Sequence, residues 1–167
     1  MNNNIIIEKL VINIGTGNEE KNNEKAVRLL EKLTQQKPAI GLSRKRIQNF
    51  GISKKQKISA YVTIRGKRIN DLIKRLLAVV DNKLDPRKIS NNTISFGIRE
   101  YIDIPGMKYD PSIGMYGMNV NIVFSRKGVR VERRRINRRK LPKSYKIIPK
   151  EEIMQYMSEN FNTKFIK

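Results

Sequence analysis

Two windows of this chain hold all of its excess charge. Residues 37–75 carry twelve Lys and Arg against one acid, Asp71, and residues 126–146 carry eleven against one, Glu132; everywhere else thirteen bases face thirteen acids. The net charge of +21 is therefore localised. Like charges at this density repel one another and are costly to bury, so these side chains call for a polyanion to offset them. Clustered charge on a balanced background is the footprint of a nucleic-acid backbone. In the densest stretch, RVERRRINRRKLPKSYK from Arg130, the only apolar residue between Glu132 and Lys140 is Ile136. That leaves too little to insert into lipid and suits a segment threaded between phosphates, so no membrane partner is expected. The predicted phosphate contacts are Arg130, Arg133, Arg134, Arg135, Arg138, Arg139 and Lys140.

The remaining sequence supplies the core. Between Ile5 and Ile14, Leu10, Ile12 and Ile14 alternate with Lys9, Val11 and Asn13, which is strand periodicity. From Glu19 to Gln36 the set Ala26, Leu29, Leu30, Leu33 recurs at helical spacing, and Lys37-Pro38 ends it. The stretch AIGLSRKRIQNFGISKKQK is basic and poorly periodic, a short strand, a turn of helix and a loop around Gly51. ISAYVTIRG alternates again. Ile69, Leu72, Ile73, Leu76, Leu77, Val80 and Leu84 predict one continuous helix over 67–84. Further strands come from TISFGI and MNVNIVF, the latter turning through SRKG into Val129 and Val131. A loop spans Asp103 to Gly117, and a closing helix at about 149–161 has Pro149 at its first position with Ile153, Tyr156, Met157 and Phe161 on one face. At 167 residues the expectation is a single domain, 1–167, of the α+β class. It has a mostly antiparallel sheet, helices on one face, an open polar face (Asn13, Ser59, Tyr61, Thr63, Arg65, Asn119 and Asn121) and a basic extension. Without RNA that extension is expected to be poorly ordered. The N-terminus reads as neither a signal peptide nor a membrane anchor, so an intracellular protein is expected.

Catalytic chemistry finds little purchase. The chain has no His and no Cys, which removes imidazole bases, thiolate nucleophiles and the common zinc ligands; no catalytic residue, metal or cofactor is assigned. Gly15 and Gly17 sit between a strand and a helix as in a dinucleotide loop, but Glu20 stands where the third glycine belongs and the Glu19-Glu20 pair repels a pyrophosphate. Glu100, Asp103 and Asp110 keep a magnesium-dependent RNA-processing nuclease open as an alternative. Met107 and Met115, beside Tyr109 and Tyr116, look like a deformable contact surface.

The series VINIG (11–15), LTQQKP (33–38), RKRIQNFGI (44–52), VTIRG (62–66), LLAVVDNKL (76–84), SFGIREYIDIPGMKYDP (95–111) and GMNV (117–120) resembles the ribosomal protein five family of the large subunit. SRKGVRVERRR through RRKLPKSYKIIPKEE is similar to its archaeal and eukaryotic branch, with the length favouring the archaeal one. The resemblance implies a non-enzymatic protein of the cytoplasmic ribosome that binds 5S rRNA and attaches it to the large subunit in the central protuberance. It implies a recognition module at Asn13, Gln36 and Thr63, flanked by Arg44, Lys45, Arg46 and Arg65. The partners it implies are 5S rRNA, large-subunit rRNA and neighbouring large-subunit proteins. The loop 104–117, with Met107, Lys108, Tyr109, Met115 and Tyr116, would face the P-site tRNA, and the nearby surface would bridge to small-subunit protein thirteen. One departure stands out: Gly41-Leu42 occupies the place where relatives usually carry Thr-Arg.

Overall fold

A computed structural model provides the structure and describes residues 5–17 and 19–166; residues 1–4, Asn18 of the GTGN turn and Lys167 lie outside it. Along the chain run strand β1 (Ile5–Gly15), helix α1 (Glu20–Thr34), β2 (Ala39–Leu42), β3 (Lys57–Ile64), α2 (Arg68–Ala78), β4 (Lys83–Leu84), β5 (Ile89–Ser90), β6 (Thr93–Ile98), β7 (Met118–Arg126), α3 (Arg130–Arg133), α4 (Lys143–Lys146), α5 (Lys150–Phe161) and β8 (Lys164–Phe165). Single turns of 3-10 helix lie at Gln48–Phe50, Pro86–Lys88 and Tyr101–Asp103. Six strands form a mostly antiparallel sheet in the order β2-β3-β1-β7-β6-β5, the α+β class that the periodicities predict.

The described residues form two compact units. The first comprises Val11–Ile64 and Gly97–Val120. Here the period-2 pattern does what it predicts: Ile12 and Ile14 of β1 and Ala60, Val62 and Ile64 of β3 are buried, while their neighbours Asn13, Tyr61 and Thr63 are not. Helix α1 packs on β2 and β3 with Ala26, Leu29, Leu30 and Leu33 inward. Each such Leu contributes on the order of 1.5–3 kcal/mol by leaving water. Gln35, in the left-handed region at φ 54°, ends α1 by donating its N–H to the Glu31 carbonyl, and Lys37-Pro38 turns the chain into β2. Strand β2 runs antiparallel to β3 with Ala39 opposite Tyr61 and Gly41 opposite Ser59, and the register shifts between Gly41 and Leu42.

The second unit takes the residues up to Leu10, Arg65–Phe96 and those from Asn121 onward. Its core gathers Ile69, Leu72, Ile73, Leu76 and Leu77 of α2, Ile94 and Phe96 of β6, Ile122 and Phe124 of β7, and Ile153, Met157 and Phe161 of α5. Tyr156 is only half-buried, its ring edge-on to Phe124 at 5.8 Å between centroids.

Three expectations need correction. Helix α2 stops at Ala78 rather than running to Leu84, because Asp81 and Asn82 both take positive φ (52° and 55°) and reverse the chain. Leu84 is still buried, but from β4, which pairs in parallel with β8, Lys83 opposite Lys164 and Leu84 opposite Phe165. The SRKG turn does not lead into a strand carrying Val129 and Val131; it leads into the helical turn α3, with Val129 buried and Val131 half-buried. Pro149 caps α5 instead of opening it, holding φ −56° and ψ 149° one residue ahead of Lys150.

Candidate nucleic-acid interface

On β1 and β3, neighbours in the sheet, Asn13 and Thr63 occupy the positions alternate to the buried residues, and both are half-exposed. Tyr61 lies on the same side of β3 and is exposed. Because the side-chain period is two, a one-residue slip would bury all three, so burial of Ile12, Ile14, Val62 and Ile64 fixes the polar display. Gln36 is half-buried just past the left-handed Gln35, and Arg65 is exposed one residue beyond β3. Asn119 is exposed, while Ser59 and Asn121 are half-buried.

Beyond β2 the chain makes a basic arm, 43–56, before returning as β3. Ser43 donates its N–H to the Gln56 carbonyl and accepts from Lys55 N–H, both at 2.8 Å. Further out, Ile47 and Ile52 exchange N–H···O bonds of 2.9 and 3.1 Å. These rungs hold Arg44, Lys45, Arg46, Lys54 and Lys55 exposed along a hairpin. At its tip stands Phe50, 71% exposed, with Gly51 supplying the positive φ of 63° that closes the turn. An aromatic ring costs free energy in water, and this one stands exposed amid five cations. Phe50 was not among the residues singled out from sequence; the available signal was an aromatic next to glycine inside an aperiodic basic stretch. At the base of the arm, a Cβ added to Gly41 would run into the Ser59 hydroxyl, so a threonine there would force that side chain to turn.

The loop after β6 is not a loose connection. Tyr101, fully buried, accepts the Asp110 backbone N–H at 2.9 Å, and Ile104 and Ile113 are buried. Lys108 is exposed, Tyr109 is 54% and Met115 48% exposed, Met107 is half-buried, and the half-buried Tyr116 donates its hydroxyl to Asn22 at 3.0 Å. Burial holds the Tyr116 hydroxyl above its ordinary value. Asp110 accepts from Lys32 through one oxygen and from Ser112 N–H and Oγ through the other. Lys32 foremost, then Ser112, hold its carboxyl down at about 2. Glu100 and Asp103 are exposed, and among the described residues no three acids converge to share a metal ion.

The basic segment 126–146 lies wholly in the second unit and is held at its ends. Arg126, only 8% exposed, bonds both oxygens of Glu152 at 2.9 and 3.1 Å and stacks over Tyr145 at 6.0 Å. Lys146 pairs with Glu132 at 2.6 Å, which lowers the Glu132 carboxyl below its ordinary value. Asn92 clasps the same end, accepting from Ile148 N–H and donating to the Lys146 carbonyl. Arg133 pairs with Glu8, and the Arg134 guanidinium donates to the Asn137 carbonyl. Arg130, Arg135, Arg138, Arg139 and Lys140 are exposed with no acid paired to them among the described residues.

Two family models match the chain: one described as ribosomal protein L5 over residues 1–52, the other as the C-terminus of the same ribosomal family over residues 57–148. Proteins named large ribosomal subunit protein uL5 are similar over most of its length. The one from Methanosphaera stadtmanae is 43% identical across 93% of this chain and 93% of its own. The one from Archaeoglobus fulgidus is 40% identical across 89% and 84%, and that of Chlamydomonas reinhardtii is 40% identical across 95% and 92%.

Proposed function

The chain belongs to the ribosomal protein L5 family, and from that premise we propose that it binds 5S rRNA through the polar display on β1 and β3 together with the basic arm 43–56. Membership makes it a structural, non-enzymatic constituent of the large ribosomal subunit, associated with rRNA in the cytoplasm. The observation that carries the finer reading is the combination in the first unit of hydrogen-bonding side chains held on the sheet (Asn13, Thr63), a half-buried Gln36 just past the end of α1, and a solvent-exposed Phe50 among Arg44, Lys45 and Arg46. RNA is read by just such a division of labour: bases stack on an aromatic face, polar side chains read their edges, and cations hold the backbone.

The segment 126–146 serves differently in this reading. Arg130, Arg134, Arg135, Arg138, Arg139 and Lys140 bind large-subunit rRNA phosphates, attaching the 5S particle to the subunit, where counterion release supplies the affinity. Loop 104–117 faces the P-site tRNA through Lys108, Tyr109 and Met115, and the neighbouring surface bridges to small-subunit protein thirteen. The test is binding of purified protein to 5S rRNA. Asn13→Ala, Gln36→Ala and Thr63→Ala should each weaken it by about 1 kcal/mol or more, the cost of leaving a base-edge group without its partner. Unchanged affinity in all three variants removes the assignment.

A further inference from the structure

We propose that Lys32 and Asn22, two residues of α1, are positioning residues that hold loop 104–117 in the shape in which it presents Lys108, Tyr109 and Met115; the purpose assigned to that shape rests on the tRNA-facing reading above. The loop carries Pro105, Gly106, Pro111, Gly114 and Gly117 and contains neither helix nor strand, so no backbone ladder fixes its course. Side-chain tethers do so instead. One pin is the ion pair from Lys32 to Asp110; the other is the Tyr116 hydroxyl on Asn22. The two α1 partners are ten positions apart, a span of about 15 Å at 1.5 Å per residue. The loop thus lies along α1 and is gripped near both ends of the helix. Between the pins Ile113 is buried, and both oxygens of Asp110 are engaged, one by Lys32 and the other by Ser112.

Tyr116 therefore belongs to the tether and not to the contact surface, and Asp110, one of the three acids considered for catalysis, is a clasp. The two pins differ in physics. Lys32 is more than half exposed, so its pairing is screened by salt, whereas the neutral Tyr116 bond is not. The groups facing the Asp110 carboxylate are Lys32 and Ser112, with the Tyr101 hydroxyl on its backbone N–H, and its depressed value keeps it ionised through the neutral and mildly acidic range.

Hydrogen exchange on the full chain, without RNA, tests the tether directly. Lys32→Met and Asp110→Asn should speed exchange at amides of residues 106–116 roughly two- to fivefold, the weight of a partly exposed ion pair, while leaving buried α1 amides unchanged. The double variant Lys32→Met with Asp110→Asn should exchange no faster than either single variant, which additive losses of general stability would not do. Raising the salt to about 1 M should speed wild-type exchange and leave Lys32→Met unaffected. Asn22→Ala should speed exchange near Tyr116 at any salt. Unchanged exchange in both Lys32→Met and Asp110→Asn overturns the tether. A second arm measures tRNA binding to large subunits reconstituted with the same variants; a loss of roughly two- to fivefold, no larger in the double variant than in either single one, is expected. Faster exchange with tRNA affinity unchanged overturns the tRNA-facing purpose while leaving the tether standing, so the two failures are distinguishable.

Discussion

The arm 43–56 and the segment 126–146 have similar basic composition and opposite construction. In the arm, Arg44, Lys45, Arg46, Lys54 and Lys55 have no ion pair among the described residues, and their positions are set by the backbone rungs of a hairpin that continues β2 and β3. In the segment, three of eleven bases are bound to acids of the same unit: Arg126 to Glu152, Arg133 to Glu8 and Lys146 to Glu132. Those pairs clamp its ends, and 134–142 between them has neither helix nor strand. A charge in a basic run is thus not automatically a charge offered to RNA. Where the backbone ladder does the holding, every base is free for a ligand; where no ladder exists, some bases are committed to holding the others in place. In the proposed function, geometry rigid enough to read bases uses the first arrangement, and sequence-independent attachment to phosphates uses the second.

The comparison breaks first at the middle of the segment. Replacing Arg135, Arg138, Arg139 and Lys140 together by Gln should lower the slope of log affinity against log salt by roughly 3 and weaken RNA binding on the order of 100-fold near 0.2 M salt, equally for 5S rRNA and a scrambled competitor. Thermal stability should move by no more than about 0.5 kcal/mol. An unchanged slope means that this stretch is not on RNA. The clamp gives the next largest effect, and a different one. Glu152→Ala leaves the nearly buried Arg126 without its carboxylate and should cost roughly 1–3 kcal/mol in denaturant unfolding, discounted because Glu152 is partly in water, with the salt slope preserved. On the arm, Phe50→Ala should cost about 1–3 kcal/mol of affinity for RNA with unpaired bases and little for a perfect duplex, with no loss of stability because the ring is in solvent. Equal losses for both RNAs would make Phe50 a bystander.

Smaller effects sharpen the contrast. Arg133→Gln should change the salt slope by much less than the roughly 0.7–0.9 expected for a free phosphate contact, since Arg133 is already paired with Glu8. The acid limb separates the regions once more. Glu132 titrates below its ordinary value because of Lys146, so its pairing stabilises above the unfolded carboxylate value and is lost as pH falls through the lowered folded value. Protection of the amides of 143–148 should therefore decline in acid below about pH 4.5 while that of the arm, which has no carboxylate in its rungs, stays level. Parallel decline in both regions would remove the distinction.

Much of this was legible beforehand. Alternation located β1, β3, β6 and β7, and the i, i+3, i+4 set located α1, because a half-buried strand and a one-faced helix leave different periods in the hydrophobic pattern. The polar display followed from the same alternation, since Asn13 and Thr63 are whatever the buried residues leave over. The stripe on α2 misled at its far end: Leu84 keeps helical phase with Leu77 and Leu76 but is buried from a strand, and periodicity alone does not register that Asp81 and Asn82 have turned the chain. Phe50 was missed because an exposed aromatic leaves no periodic trace. The partners of Arg126, Arg133 and Lys146 were invisible because Glu152, Glu8 and Glu132 reach them only through the fold.

By itself, then, the sequence determined the class of the fold, much of the core, the confinement of the excess charge to two windows and the polyanionic nature of the partner. All of these depend on composition and local period, which the chain carries without reference to its three-dimensional path. Only the tertiary structure decided which cations are free. Lys32 meets Asp110 across 78 positions and Arg133 meets Glu8 across 125, and electrostatic pairing acts over a few ångströms of space with no regard for distance along the chain.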